Sequence, residues 1–216
     1  MGAHARYVIA IVPVRSLSGA KSRLGEPLDA EERAELILAL LRRTVEQALA
    51  AECVAGVVVV STDEDLLESA RAMGATSLLQ VSDGLNAALD EALAAVAKSA
   101  AAVIVIPADL PGVTGAAIDL LATAARDAAA AAGSRDGPAV GLVPDQHGMG
   151  TNALFVTPPG AIPFRFGEHS RAAHAAAARA AGAGFVELDG PLGFDLDTPD
   201  DLLEADKRGL GHEAGR

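Results

Sequence analysis

"YVIAIVPV" (residues 7–14), followed at once by "RSLSGAKSRLG" (15–25), is the stretch on which the fold turns. Its first eight residues are apolar and mostly β-branched, with no polar alternation. That pattern reads as a strand buried on both faces. Such a strand needs helices above and below it, the layout of a layered α/β protein. The small-residue loop that follows carries Arg15, Lys21 and Arg23. In open α/β sheets ligands bind outside the carboxyl ends of strands, so this loop lies where an anion would be met. Ser16, Ser18 and Gly19 allow backbone N–H groups to approach it, and Lys21 and Arg23 supply charge. The GxxxxGK[ST] spacing of a P-loop is absent. A plain solvated loop is the alternative.

Outward from this stretch, β-branched runs alternate with Ala/Leu-rich helical patterns. Residues 29–51 read as a helix, with Asp29 and Glu32 placed for a capping box and Leu36, Ile37, Leu40, Leu41, Val45 and Leu49 at helical spacing. Residues 54–61 read as a second buried strand. A helix capped by Thr62 and ended by Gly74 comes next, then a strand over 75–81. A loop and helix (82–99), a strand running into an Asp–Pro turn (101–112) and an Ala-rich helix (114–132) continue the rhythm. After a turn at 133–138 come strands at 139–145 and 151–157, a helix at 170–183, a strand at 184–189 and a helix at 198–209. Residues 211–216 are expected to fray. The pattern predicts one domain over 1–216, with a mostly parallel, mixed central sheet and helices on both faces. Residues 143–168 break the βα alternation, and such an insertion is a reasonable seat for substrate specificity.

Composition narrows the function classes. The chain has 216 residues, 50% of them hydrophobic, enough for a substantial core. Aromatics make up 3%, so Ala, Val and Leu must build that core in tightly packed layers. A formal net charge of −12 argues against a nucleic-acid partner. A small anionic ligand needs only a local basic cluster and is still admitted. Cys53 is the one cysteine, which rules out an internal disulfide. The first ten residues lack a signal-peptide h-region, and no apolar run approaches the ~20 residues of a membrane span. The expectation is a soluble, cytoplasmic protein without membrane partners.

Three further polar clusters fall at strand ends. Asp109, in "VIVIPADLP", is a carboxylate between Pro107 and Pro111 after an apolar strand. It is either a local turn or cap residue, or a ligand for a hard cation. In "FDLDTPDDL" (194–202), Thr198, Pro199, Asp200 and Asp201 suit a helix start. Asp195 and Asp197 are left over; two apart in an extended segment, they point the same way and repel unless a cation or proton intervenes. With Asp109 they would make an oxygen-rich Mg²⁺ site completed by phosphate and water. In "HGMGTNALF" and "RFGEHSRAAH", Thr151 and Asn152 open a strand, and Gly167 to Ser170 open a helix suited to phosphate or carboxylate. Ser170 could equally be an ordinary N-cap. His174 is expected to be packed and His147 solvated, with neither acting as a catalyst.

Taken together, "IVPVRSLSGAKSRL" (11–24), "GLNAAL" (84–89), "IPADLP" (106–111), "GTNALF" (150–155), "FGEHSRAAH" (166–174) and "DLDTPDDL" (195–202) resemble, in order and over nearly the whole chain, the phosphoenolpyruvate / 2-phospho-L-lactate guanylyltransferases of coenzyme F420 biosynthesis. The resemblance implies a Rossmann-like nucleotidyltransferase fold similar to the molybdenum-cofactor guanylyltransferases. In those proteins the first loop reads LxAGxGxRM, and "SLSGAKSRL" departs from it as the F420 branch does. The implied reaction joins GTP and a small phosphorylated acid, with loss of pyrophosphate. Thr151, Gly167 and Ser170 would bind the acid, and Asp109, Asp195 and Asp197 would hold Mg²⁺. Pro13, Arg15, Ser18, Gly19 and Lys21 would embrace the nucleotide, with Lys21 and Arg23 as the catalytic cations. Gly84 and Asn86 would contact the nucleoside. The product would pass to a downstream transferase of F420 biosynthesis. The attacking phosphate is already anionic, so no strong general base is required, which agrees with the lack of a convincing His or Cys catalyst. Phosphoenolpyruvate is the expected acid and 2-phospho-L-lactate the alternative, as is another acceptor on the same fold. A nucleotide-binding regulatory protein without turnover is the non-enzymatic alternative, against which the three acids argue.

Overall fold

The structure, a computed structural model, describes residues 8–15 and 28–210. Ser16, Ser18, Gly19, Lys21 and Arg23 of the basic loop, and the tail 211–216, lie outside the described residues.

Strand β1 (Val8–Pro13) is walled on both faces as its composition predicts. Val8, Ala10 and Val12 enter one apolar cluster and Ile11 the other. Strands β2 (Val54–Ser61) and β4 (Ala102–Val105) repeat this, with Val57, Val59 and Ile104 on the first side and Val58, Val60 and Val105 on the second. Helices α1 (Ala30–Ala50), α2 (Glu64–Ala72) and α4 (Gly115–Ala131) cover the first face through Leu41, Leu67 and Leu121. Helices α3 (Leu85–Val96) and α5 (Ser170–Ala180) cover the second through Leu89 and Ala178. Each fully buried Leu or Val contributes about 1.5–3 kcal/mol of transfer free energy.

With β3 (Thr76–Leu79), β5 (Ala139–Pro144), β6 (Thr151–Thr157) and β7 (Gly184–Glu187), the strands form one seven-stranded sheet in the order β3-β2-β1-β4-β6-β5-β7. Every pairing is parallel except those of β6, which runs antiparallel to both β4 and β5. The reversal matters for function: it brings the first residues of β6 to the edge where the parallel strands end. Helix α6 (Pro199–Lys207) closes a third, small cluster against α1 through Leu36, Leu40, Phe194, Leu196 and Ala205. Among the described residues, no helix is long and apolar enough to cross a membrane.

Caps fall largely where residue types place them. Asp29 Oδ1 accepts the N–H groups of Glu31 and Glu32 at 2.9 Å, and Glu32 returns a bond to the Asp29 N–H at 2.8 Å. Thr198 and Asp201 form the equivalent box at α6. Two expectations need correction. Asp63, not Thr62, caps α2, because its carboxylate reaches the N–H groups of Asp65 and Leu66. At α5 the cap is His169 in the left-handed region (φ 59°), which makes Ser170 the first helical residue.

Candidate functional site

The carboxyl edge of the sheet opens into a cavity of about 500 Å³. Pro13 and Arg15 from the end of β1, Asp109 from the turn after β4, Thr151 from β6, Gly167 and Ser170 at α5, and Asp195 and Asp197 before α6 all line it. Residues separated by most of the chain therefore converge on one space. The topology explains how: β1 and β4 end there, β6 begins there, and α5 and α6 start there.

The acidic side is organised by backbone. The Leu196 N–H donates to the Asp109 carbonyl at 3.0 Å, tying the Asp195–Asp197 segment to the β4 turn. Leu196 buries its side chain under α1 while its acidic neighbours line the cavity. Burial pushes the Asp195 carboxyl up to about 6; the Asn152 amide, donating to its Oδ1 at 3.2 Å, opposes this, and the charges of Asp109 and Asp197 reinforce it. Asp201 braces the segment: its Oδ2 accepts the N–H groups of Asp197 (3.0 Å) and Thr198 (2.7 Å), and its Oδ1 accepts from Gln146 Nε2 (3.1 Å).

Among the described residues, no three His, Cys, Asp or Glu side chains are already gathered tightly enough to enclose an ion. Carboxylates facing each other without a cation repel, and a small hard cation such as Mg²⁺ is held by carboxylates together with substrate phosphates and water. The half-buried Asp195 carboxyl, destabilised as an anion beside two other acids, fits such a cation.

The opposite rim suits an anion. Gly167 holds φ +125°, a conformation costly for any side-chain-bearing residue, and leads into the left-handed His169. Together they set the start of α5, where the Ser170 N–H donates to the Gly167 carbonyl at 3.1 Å and the Arg171 N–H to the Met149 carbonyl at 3.2 Å. Ser170 is 1% exposed, and its Oγ has no hydrogen-bond partner among the described residues. Its expected alternative role as an N-cap is therefore not the one it plays. Thr151 Oγ1 lies 3.0 Å from His174 Nδ1, and His174 Nε2 accepts the Arg165 N–H at 2.9 Å. His174 is packed, as expected, but both of its nitrogens are engaged. Burial, then the nearby Arg165 charge, lowers it from 6.5 to about 4.

Gly84 and Asn86, expected to contact the nucleoside, are not among the residues that line this cavity. Gly84 precedes α3 at φ +91°, and Leu85, not its neighbours, lines the cavity. The Asn86 amide clasps the main chain of Phe166, accepting its N–H at 2.8 Å and donating to its carbonyl at 2.9 Å. It thereby braces the loop before Gly167. Arg171 is likewise structural, bonded to Glu187 at 2.7 Å and to the Gly148 carbonyl at 3.1 Å. Asp145 and Asn152 complete the wall without having been singled out as site residues. Asn152 follows Thr151 in the quoted motif, but its bond spans 43 residues, which no local pattern signals.

Comparison with known proteins places the chain in a family. The family model described as "Guanylyl transferase CofC like" matches residues 8–214. A phosphoenolpyruvate guanylyltransferase of Rubrobacter xylanophilus is 43% identical over 204 residues, covering 94% of this chain and 95% of its own. One from Sphaerobacter thermophilus is 42% identical over 201 residues, covering 91% of each. A crystal structure from Desulfovibrio desulfuricans G20, provisionally named a nucleotide-diphospho-sugar transferase, superposes with a TM-score of 0.70 at 16% identity, covering 97% of this chain and 90% of that one. At that identity the likeness shows the fold alone: that of the nucleotide-diphospho-sugar transferases. The sequence matches go further, and with both rims of the cavity in view the chain belongs to the CofC-like guanylyl transferase family.

Proposed function

We propose that this enzyme transfers the guanylyl group of GTP to phosphoenolpyruvate, forming enolpyruvyl-2-diphospho-5′-guanosine and pyrophosphate for coenzyme F420 biosynthesis. A phosphate oxygen of the acid attacks the α-phosphorus of GTP. A new P–O–P bond forms, the bond to the β-phosphate oxygen breaks, and pyrophosphate leaves with that electron pair. The observation that carries the reading is that one cavity pairs an acidic rim with the buried Ser170 hydroxyl, without a partner among the described residues, beside Thr151. The names of the relatives at 43% and 42% identity supply the acid and the nucleotide transferred.

In this reading the Thr151 and Ser170 hydroxyls and the main chain at Gly167 hold the acid, with residues 143–168 supplying much of its binding wall. Asp109, Asp195 and Asp197 would hold Mg²⁺, which when bound neutralises phosphate charge. Pro13 and Arg15 face the nucleotide phosphates. Ser18, Gly19, Lys21 and Arg23, which follow Arg15 in the sequence and lie outside the described residues, are assigned to the nucleotide, with Lys21 and Arg23 on the departing pyrophosphate. Catalysis is positioning and charge neutralisation.

The test is pyrophosphate release with GTP, ATP or CTP, each against phosphoenolpyruvate and 2-phospho-L-lactate, with product mass determined. GTP with phosphoenolpyruvate is expected to give the highest kcat/KM. A preference for 2-phospho-L-lactate would reassign the acid, and binding of GTP without turnover on either acid would overturn the enzymatic reading.

A further inference from the structure

His174 is fully buried on α5, one turn beyond Ser170, and the mechanism above does not use it. Its two nitrogens face different kinds of partner. Nε2 receives the Arg165 N–H at 2.9 Å, and a backbone amide can only donate. Nε2 is therefore bare, and a neutral imidazole then carries its single proton on Nδ1. Nδ1 lies 3.0 Å from Thr151 Oγ1, so in that bond the ring donates and the hydroxyl accepts. The hydroxyl's own proton must point elsewhere, and Thr151 lines the cavity. With the opposite tautomer, Thr151 would donate to the ring and turn only lone pairs toward an incoming anion.

We propose that His174 is a positioning residue that locks the Thr151 hydroxyl as a hydrogen-bond donor aimed at the anionic acid. The same ring fixes the Arg165 N–H, and its edge-on contact with Phe166, at 5.0 Å between centroids, holds it in place. The selectivity device is thus a chain of fixed polarity: main-chain N–H, imidazole, hydroxyl, acid. It rests on the reading that Thr151 and Ser170 hold phosphoenolpyruvate.

Two amide substitutions separate this role from simple packing. Asn reaches about as far as Nδ1 and can still donate to Thr151, but loses Arg165. Gln reaches about as far as Nε2 and can still accept from Arg165, but leaves Thr151 unoriented. His174→Gln is expected to raise the KM for phosphoenolpyruvate about tenfold or more, the usual effect of losing a hydrogen bond to a charged group. The KM for GTP should change less than twofold. His174→Asn should restore most of the acid KM, and His174→Gln added to Thr151→Val should cost nothing beyond Thr151→Val alone. If Thr151→Val raises the acid KM while His174→Gln leaves it within twofold of wild type, the positioning role is wrong and the acid site stands. If Thr151→Val and Ser170→Ala both leave the acid KM unchanged, the acid site itself is wrong. Should the His174 variants fail to fold, ¹⁵N NMR of the unmodified ring decides: the Nδ1–H tautomer supports the proposal, and Nε2–H overturns it.

Discussion

Ser170, proposed above to bind the acid, shows what such a residue costs its own fold. A buried hydroxyl without a partner is unfavourable by about 1–3 kcal/mol when no water reaches it. Ser170→Ala should therefore leave the ligand-free melting temperature unchanged or raise it, while the KM for phosphoenolpyruvate rises about tenfold; calorimetry and steady-state kinetics on one preparation check both halves. Asp195→Asn follows the same logic. Removing a half-buried charge held up to about 6 should stabilise the metal-free protein and abolish pyrophosphate release. His174 works in the opposite sense. Its folded value of about 4 lies below the ordinary 6.5, so the fold favours the neutral ring. Its contribution is complete above about pH 6.5 and drains away as pH falls toward about 4. The stability gap between wild type and His174→Asn, followed by thermal melts, should narrow across that window. Asp195 and Asp197 were legible as lining residues because local structure left them over, Asp109 because it follows an apolar strand, and Thr151 and Ser170 because they open a strand and a helix. The bond from Asn152 to Asp195 and that between Thr151 and His174 were not, since they join residues 43 and 23 positions apart.

At the scale of elements, the features read correctly are those whose physics is local. The Asp29–Glu32 and Thr198–Asp201 boxes need only their own turns to form, and both are present. Thr62 and Asp63 are both sound caps by residue type, and the backbone of the preceding turn, which residue type does not reveal, selects Asp63. Strand β3 stops at Leu79 although a strand was expected to reach Val81. There the chain turns away from the sheet, and the Glu91 carboxylate on α3 accepts the N–H groups of Val81 and Ser82 at 3.0 and 2.7 Å. Asp201 belongs to two levels at once, capping α6 and gathering the loop that carries Asp195 and Asp197. Asp201→Ala is expected to lower stability by about 1 kcal/mol, the usual cost of a lost cap. It should also raise the Mg²⁺ concentration for half-maximal activity several-fold. Thr198→Ala shares only the first effect, so urea melts and Mg²⁺ titrations of the pair separate capping from loop bracing.

For the whole molecule, the scarcity of aromatics becomes a matter of distance between layers. A Cβ on Gly184 would meet the backbone of Ala129 at 2.3 Å, so β7 and α4 touch almost main chain to main chain. Gly184→Ala should cost about 1–3 kcal/mol, as overpacking does. Because Gly184 begins its strand, at the edge of the sheet away from the cavity, kcat per folded molecule should not change; denaturant midpoints and active-site-normalised rates test this. The layered class was legible from strands with two apolar faces, whereas the strand order was not, because pairing partners are chosen by surfaces that only form together. The short link between β5 and β6 does account for one feature: it is long enough for an antiparallel return and too short for a parallel crossover. That return seats Thr151 and Asn152 at the start of a strand that is laddered along both edges from Leu154 to Val156. The amides of Leu154 to Val156 should exchange with deuterium slowly, before and after any substrate arrives. A pocket floor built this way discriminates as a rigid gauge, and descendants with altered acceptor repertoires would arise by swapping side chains on it, leaving its backbone where it is.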